Sequence, residues 1–159
     1  MLGWSWHGWL IGVALLAYGA DMTTKELALH RLSWGVPHPV MGGWLQFQLL
    51  FNPGAAFSLG AGYTPVFAAL GLAAFLFLVV LVAPRACSTM ENVVVGLLVG
   101  GVGGNLTDRI FRSPGFFHGQ VVDFIGIRYF AVFNIADMCI TSAAVMIIVA
   151  LIRARPRRW

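Results

Sequence analysis

The sequence predicts an all-α membrane protein, a bundle of four transmembrane helices with a small extracytoplasmic β-structure between helices 1 and 2. Two observations predict this class. Of the 159 residues, 59% are hydrophobic and only 10% are charged, whereas average chains carry about 25% charged residues. The chain also contains four apolar stretches long enough to cross a bilayer, which takes about 20 residues. Because no internal repeat or low-complexity linker interrupts it, we expect residues 1–159 to form a single integral membrane domain.

The four predicted spans cover residues 4–20, 65–83, 92–106 and 131–152. The first lacks a basic segment before its apolar core and is followed by three more spans, so we expect it to be retained rather than cleaved as a signal peptide. The third is rich in glycine, and its residues at four-residue spacing share one helical face, which lets another helix approach closely: Gly96, Gly100 and Gly104. We therefore expect the third helix to be central in the bundle.

The basic residues predict the orientation of these helices. An even number of spans places both termini on one side, and the arginine cluster at residues 153–158 predicts that this side is cytoplasmic. Over all loops the basic residues divide equally, five to each side, so the prediction depends on the terminal cluster. It places residues 33–62 and 111–130 on the outer face.

The first outer segment carries the signs of a small β-structure. Residues 44–49 alternate apolar and polar, and prolines and glycines between residues 37 and 43 bound them. Trp34 and Trp44 would suit the lipid headgroup level. Asn52 opens a small-residue segment that could pack closely against a ligand or another backbone, or it could be a turn residue.

Several function classes are disfavoured. The net charge is +4, but four of the ten basic residues lie in the terminal cluster and the rest are scattered, so no nucleic-acid partner is expected. Cys87 and Cys139 fall in a predicted cytoplasmic loop and a predicted span, so they are not expected to pair. Neither cysteine has zinc-ligand spacing around it, and no metal-binding spacing relates the four histidines, so no metal or cofactor is expected: His7, His30, His38 and His118.

Two of the six acidic residues, Asp123 and Asp137, lie in strongly apolar surroundings. A charge near mid-membrane costs about 2.5–3.5 kcal/mol on insertion scales, and such residues usually serve a function. Asp137, which we place about two turns into the fourth span, shares a helical face with Asn134 and Thr141 and could instead hold helices together by hydrogen bonding. Asp123 alone could be an ordinary loop aspartate. Together, two carboxylates on facing segments could share one proton and activate water.

Two further polar groups lie at the ends of predicted spans. Asn105 and Arg109 share a helical face, so the arginine could reach a site while Asp108 offsets its charge. Alternatively the three could cap the helix at the interface, which their spacing alone favours. Asp21 and Lys25 form an i, i+4 pair at the end of the first span, for which an interfacial salt bridge is the simpler interpretation.

The chain resembles the lipoprotein signal peptidases, also called signal peptidase II. Five motifs carry the resemblance in order along nearly the whole chain, at residues 21–25, 52–58, 103–109, 121–124 and 133–137. The resemblance implies an aspartic endopeptidase of the bacterial cytoplasmic membrane that removes signal peptides from prolipoproteins. It would cut on the amino side of a cysteine already modified with diacylglycerol. Apart from the resemblance, membrane lipids are the expected surroundings and a monomer is the default oligomeric state.

The resemblance also implies roles for eight residues. Asp123 and Asp137 would be the catalytic dyad, other side chains would line the site, and two would support it: Asn52, Asn105, Arg109 and Asn134, then Asp21 and Lys25. The chain departs from the family pattern in two ways. Only thirteen residues separate the two aspartates, and residues 131–132 are Ala-Val where tryptophan-proline is often found. The short connection bears on the size of the outer segment between the two aspartates and leaves their assignment as the dyad unchanged.

Two functions from other classes compete with a peptidase. A proton- or ion-coupled transporter would also use buried aspartates, but such folds commonly contain repeated halves with broken helices, and the sequence has no visible repeat. A structural membrane scaffold would explain the glycine face but not two acids on facing segments.

Overall fold

The computed structural model describes residues 4–54 and 62–154. Four long helices dominate it: α1 (Trp4–Arg31), α2 (Thr64–Leu76), α3 (Thr89–Phe111) and α4 (Ile135–Arg153). A π-helical segment (Phe77–Val82) and a 3-10 turn (Ala83–Arg85) extend α2. Three described helical segments, 64–85, 89–111 and 135–153, are long and apolar enough to cross a membrane by length and composition. The chain is therefore a mostly helical membrane protein. The predicted arginine cluster lies largely outside the described residues.

Several helix boundaries differ from the predicted spans, and α3 (Thr89–Phe111) is longer at both ends than the predicted 92–106. α1 continues to Arg31, past the predicted end at residue 20, and α4 begins at Ile135 rather than at residue 131. The prediction ended the first span where charged side chains begin. Asp21 and Lys25 are fully buried inside the protein instead, so they do not end the helix. Residues 131–134 precede α4 in extended and irregular backbone.

α3 is the central helix, in contact with α1, α2 and α4. A Cβ at Gly96 would lie 2.8 Å from the Leu10 carbonyl oxygen of α1, and one at Gly100 would lie 2.6 Å from Ala17 Cβ. These distances are too short for a side chain, so the glycines let α1 pack directly on the α3 backbone. The predicted glycine face and central position are confirmed. A neighbouring glycine, Gly101, allows the same approach by α4 at Ala136.

A three-stranded antiparallel sheet lies beyond the helices, in the order β1 (His38–Val40), β2 (Leu45–Asn52) and β3 (Val121–Ile127). β1 and β2 form the predicted structure between the first two helices. β3, from the connection between α3 and α4, was not predicted; it pairs with β2 in a register that sets Leu50 opposite Asp123. Ala28 of α1 joins the sheet to the bundle through a small apolar core with residues of β2 and β3: Leu49, Val122 and Phe124.

Candidate active site

Asp123 and Asp137 line the same cavity, of about 190 Å³. Asp123 comes from β3 and Asp137 from α4. The rest of the lining comes from β2 and the residues after it, from α3, and from β3 and the residues after it: Asn52, Gly54, Asn105, Arg109, Val121, Ala131 and Val132. The fold therefore brings together most of the side chains that the sequence singles out, from segments far apart in the chain.

Asp123 lies on a strand and not in the loop that its position suggested. It is 3% exposed. Asn52 Nδ2 donates a hydrogen bond to its Oδ2 at 3.1 Å, and Asn134 Nδ2 donates to its Oδ1 at 2.7 Å. Burial, with the nearby charge of Asp137, raises the pKa of Asp123 to about 7, although the two amide hydrogen bonds and Lys25 act in the opposite direction. At neutral pH this carboxyl group is partly protonated.

Asp137 lies in the first turn of α4, not two turns into the helix as predicted. Asn134 is the N-cap: its Oδ1 accepts from the Asp137 backbone N–H at 2.9 Å, and Asp137 Oδ2 accepts from the Asn134 backbone N–H at 3.2 Å. Asparagine is a favoured N-cap, and this reciprocal pair satisfies two otherwise free backbone donors. Asn105 Nδ2 donates to the other oxygen, Asp137 Oδ1, at 2.8 Å. The helix start thus fixes the carboxylate at the cavity wall.

The Asn134 side chain connects the two aspartates. Besides capping α4 at Asp137, its Nδ2 donates to Asp123 Oδ1 and to Asn105 Oδ1, the latter at 3.1 Å, and it reaches the Val122 carbonyl at 3.3 Å. Asn134 is fully buried. A single amide therefore fixes the start of α4, the middle of β3 and the end of α3 relative to one another.

Arg109 lies beside the dyad without an ion pair to it among the described residues. Its Nη2 donates to the Gly54 carbonyl at 2.7 Å, and Gly54 N–H donates to Asn52 Oδ1 at 3.0 Å. The arginine therefore holds the chain after β2 and brings a positive charge to the cavity wall. The small-residue segment predicted to pack closely extends into residues 55–61, outside the described residues.

The predicted salt bridge between Asp21 and Lys25 is present, but both side chains are fully buried inside the protein. Lys25 Nζ lies 2.6 Å from Asp21 Oδ2 and 2.7 Å from Asp108 Oδ2, and it donates to Asn105 Oδ1 at 2.9 Å. Local sequence could not reveal this burial, because Asp108 and Asn105 come from α3. Asp108, which could have offset the charge of Arg109, forms its ion pairs with Lys25 and Arg112.

Arg112 was not singled out from the sequence. It pairs with Asp108 and, at 2.7 Å, with the half-exposed Glu26. The i, i+4 spacing of Asp108 and Arg112 was a usable signal for this pair. Beyond these groups, the described residues contain no cluster of three or more His, Cys, Asp or Glu able to hold a metal ion, and both cysteines are free.

The arrangement suits proton transfer at a peptide bond. Two carboxylates that line one small cavity cannot easily both ionise. The ionised group can take a proton from water while the protonated group donates a hydrogen bond to a carbonyl oxygen. The amides of Asn52, Asn105 and Asn134 hold both carboxyl groups in place.

Comparisons with known proteins agree on one family. Residues 13–153 match the family model for signal peptidase (SPase) II. The chain is 42% identical over 144 residues to a lipoprotein signal peptidase of Streptomyces coelicolor, covering 91% of this chain and 70% of that protein. It is 38% identical over 142 residues to one from Mycobacterium avium, covering 88% and 76%. A solved bacterial membrane enzyme, determined by the in meso method at 2.3 Å, superposes with a TM-score of 0.82 at 27% identity, covering 96% and 94% of the two chains.

Proposed function

Because the chain belongs to the signal peptidase II family, we propose that it is an aspartic endopeptidase that cleaves the signal peptide from diacylglyceryl-modified prolipoproteins. Cleavage falls on the amino side of the lipidated cysteine. The observation that carries the proposal is the pair of aspartates lining one small cavity in a membrane protein of this family. The transporter alternative finds no support in the comparisons.

In the proposed mechanism, Asp123 and Asp137 hold one proton between them. The ionised carboxylate takes a proton from water, and the resulting nucleophile attacks the scissile carbonyl carbon. The protonated carboxyl group polarises the carbonyl oxygen and later gives a proton to the leaving amine. The positive charge of Arg109 at the cavity wall stabilises the negative charge that develops on the carbonyl oxygen. Neither a metal ion nor a covalent intermediate takes part.

We further propose that α1 is a fourth transmembrane helix. It contains 28 residues, about 42 Å at 1.5 Å per residue, and it packs along the α3 backbone. Both termini would then be cytoplasmic in the bacterial cytoplasmic membrane, with the sheet and the dyad on the extracytoplasmic side, where exported substrates arrive. The protein would act as one membrane domain and as a monomer surrounded by membrane lipids.

The lipid on the substrate supplies binding energy in this proposal. The acyl chains remain among apolar side chains and lipid, each buried methylene contributing about 0.8 kcal/mol. Three residues that line the cavity are apolar: Val121, Ala131 and Val132. Part of this remote binding energy positions the scissile bond against the dyad.

The first test is cleavage of a prolipoprotein by purified protein in detergent, followed by mass spectrometry. Asp123→Asn and Asp137→Asn should each lower cleavage at least a thousandfold while the protein still inserts and folds, because each role needs an ionisable oxygen. Substantial turnover by either folded variant would remove the dyad assignment.

The second test compares matched substrates with and without the diacylglyceryl group, in the same detergent. We expect kcat/KM to fall at least a hundredfold without the lipid, more than one side-chain contact supplies. Equal values would leave an aspartic endopeptidase but would remove the preference for lipoproteins.

A further inference from the structure

Two buried carboxylates outside the dyad hold the backbone immediately before each proposed catalytic aspartate. Asp21 Oδ1 accepts a hydrogen bond from the Ala136 N–H at 2.8 Å, one residue before Asp137. Asp108 Oδ2 accepts from the Val122 N–H at 3.2 Å, one residue before Asp123. Neither contact joins neighbours in the chain, since Asp21 belongs to α1 and Asp108 to α3. The positions of α4 and β3 at the dyad are thus each fixed by a carboxylate.

Lys25 connects these two carboxylates. Its Nζ lies 2.6 Å from Asp21 Oδ2 and 2.7 Å from Asp108 Oδ2, and all three side chains are fully buried. The same ammonium group donates to Asn105 Oδ1. Because an amide has one oxygen and one nitrogen end, this bond turns the Asn105 nitrogen toward Asp137. Lys25 is therefore linked, through Asp21, Asp108 and Asn105, to the segments that carry both aspartates.

We propose that Asp21, Lys25 and Asp108 act as a clasp that sets the separation of Asp123 and Asp137, with Lys25 as the positioning residue that joins its two halves. This inference rests on the proposed peptidase function. The carboxylates of the dyad repel each other whenever both are ionised, and the force is largest in a poorly hydrated site. The clasp opposes that repulsion through the backbone, without touching the substrate.

The charges of the clasp and its neighbour Arg112 balance one another in the interior. Asp21 and Asp108 bring two negative charges into the interior, and Lys25 with Arg112 brings two positive ones. Removing one member leaves a buried charge without its partner, which is strongly destabilising. Gly104 of α3 provides the necessary room, because a Cβ there would overlap the Asp21 carboxylate.

Matched substitutions distinguish the effect of losing a hydrogen bond to the backbone from the effect of losing a buried charge. Asp21→Asn and Asp21→Ala both remove the negative charge, but only asparagine keeps an oxygen to accept from the Ala136 N–H. Asp108→Asn and Asp108→Ala form the same pair for the Val122 N–H. Glu26→Gln is the control, because Glu26 is half exposed and reaches the clasp only through Arg112.

We expect each alanine variant to lose at least tenfold more kcat per folded enzyme than its asparagine partner, with KM changed less than threefold. Glu26→Gln should stay within threefold of the natural protein in both. The folded fraction is measured by thermal unfolding and gel filtration. If each alanine variant, corrected for folded protein, equals its asparagine partner in kcat, the clasp acts only on stability and the proposal is wrong.

The connection that Lys25 makes between Asp21 and Asp108 is tested in a charge-balanced double variant, Asp21→Asn with Lys25→Met. It removes one positive and one negative charge together, so Asp108 and Arg112 stay paired and folding is preserved. We expect kcat to fall at least thirtyfold. A folded double variant with the natural kcat would overturn the role of Lys25.

The pH dependence of kcat/KM supplies a readout that loss of stability would not change. The charged groups facing Asp123 are Asp137 from α4, Lys25 from α1 and Arg109 from α3. If the dyad separates in the Asp21→Ala variant, the two carboxyl groups interact less and the alkaline limb moves to lower pH. An unchanged limb would contradict the proposal. Failure of the natural protein to cleave a prolipoprotein would instead contradict the peptidase function, and activity retained by Asp123→Asn would remove the dyad assignment. Both outcomes are distinguishable from a failure of the clasp.

Discussion

At the scale of single residues, Asp123 has an unusual environment for a carboxyl group. It is 3% exposed, lies near a second carboxylate and accepts hydrogen bonds from two asparagines. Its pKa is raised to about 7 from the ordinary value of 3.8, chiefly by burial. The folded protein therefore keeps a proton on this group at pH values where the unfolded chain has lost it.

This pKa predicts a stability change on Asp123→Asn. Between about pH 4 and pH 7 the folded state binds more protons than the unfolded state, so stability falls as the pH rises through this range. The destabilisation caused by ionised, buried Asp123 is fully present above about pH 7 and absent below about pH 4. Asparagine carries no charge, so the variant should be more stable than the natural protein at pH 8 by about 1–3 kcal/mol, after allowing for an imperfect fit to two amide donors.

Thermal unfolding in detergent at pH 8 and pH 4.5 measures this effect. The melting temperature of Asp123→Asn should exceed that of the natural protein at pH 8, and most of the gain should disappear at pH 4.5. Asn92→Asp, a matched change of amide to acid in the buried part of α3, should destabilise at pH 8. A lower melting temperature for Asp123→Asn at pH 8 would contradict the raised pKa.

At the scale of elements, the α1 and α3 pair organises the site. The approach of α1 to the glycine face of α3 places Asp21 and Lys25 next to Asp108 and Asn105. Burying these charges in a membrane protein requires that partners from another helix already be close. The packing of two helices and the polar network at their end therefore depend on each other.

A methyl group on the glycine face should disturb this pair. At Gly100 a Cβ would lie 2.6 Å from Ala17 Cβ and 2.7 Å from the Ala14 carbonyl oxygen. We expect Gly100→Ala to destabilise the protein by about 1–3 kcal/mol, since the backbones must separate. Gly19→Ala is the control, because a Cβ at that helical position meets nothing within 4 Å. Urea or thermal unfolding in detergent compares the two, and equal stabilities would show that the close approach contributes nothing.

The elements also show how far sequence patterns reach. Hydropathy located four helices and glycine spacing identified the central one, because both signals are local and periodic. The patterns failed where distant partners decide the structure. α1 continues through Asp21 and Lys25 because Lys25 pairs with Asp21 and with Asp108 of α3, and β3 forms because β2 is there to pair with it. Asp137 was placed too deep in its helix because the span was counted from apolar residues and not from the asparagine cap.

The same contrast between local sequence signals and contacts of distant residues applies to the candidate site. The sequence singled out the two aspartates by their apolar surroundings, and the fold brings both to one cavity with Asn52, Asn105 and Arg109. It did not reveal Arg112 as a member of the network, nor the backbone contacts of Asp21 and Asp108. The two backbone contacts join Asp21 to Ala136, across most of the chain, and Asp108 to Val122, across the loop between α3 and β3, and no local spacing encodes them.

At the scale of the whole molecule, the polar network and the sheet lie at one end of α3. The connection between α2 and α3 lies at the other end, and α3 spans 23 residues, about 35 Å at 1.5 Å per residue. That length matches the hydrocarbon core with part of the headgroup layer. Residues at the two ends of α3 should therefore face opposite sides of the membrane, and the proposed topology assigns the end with the dyad to the outside.

Cysteine labelling of intact cells tests this orientation. Cys87, before α3, is free and exposed, and Ser113, after α3, is exposed as well. In a Cys139→Ala background, a membrane-impermeant maleimide should label a Ser113→Cys, Cys87→Ser variant but leave the natural Cys87 unlabelled until the membrane is permeabilised. The opposite pattern would place the dyad on the cytoplasmic face, where an exported prolipoprotein could not reach it. Because the two probes flank α3 at opposite ends, the experiment orients Asn105 and Arg109 together with the cavity that they line.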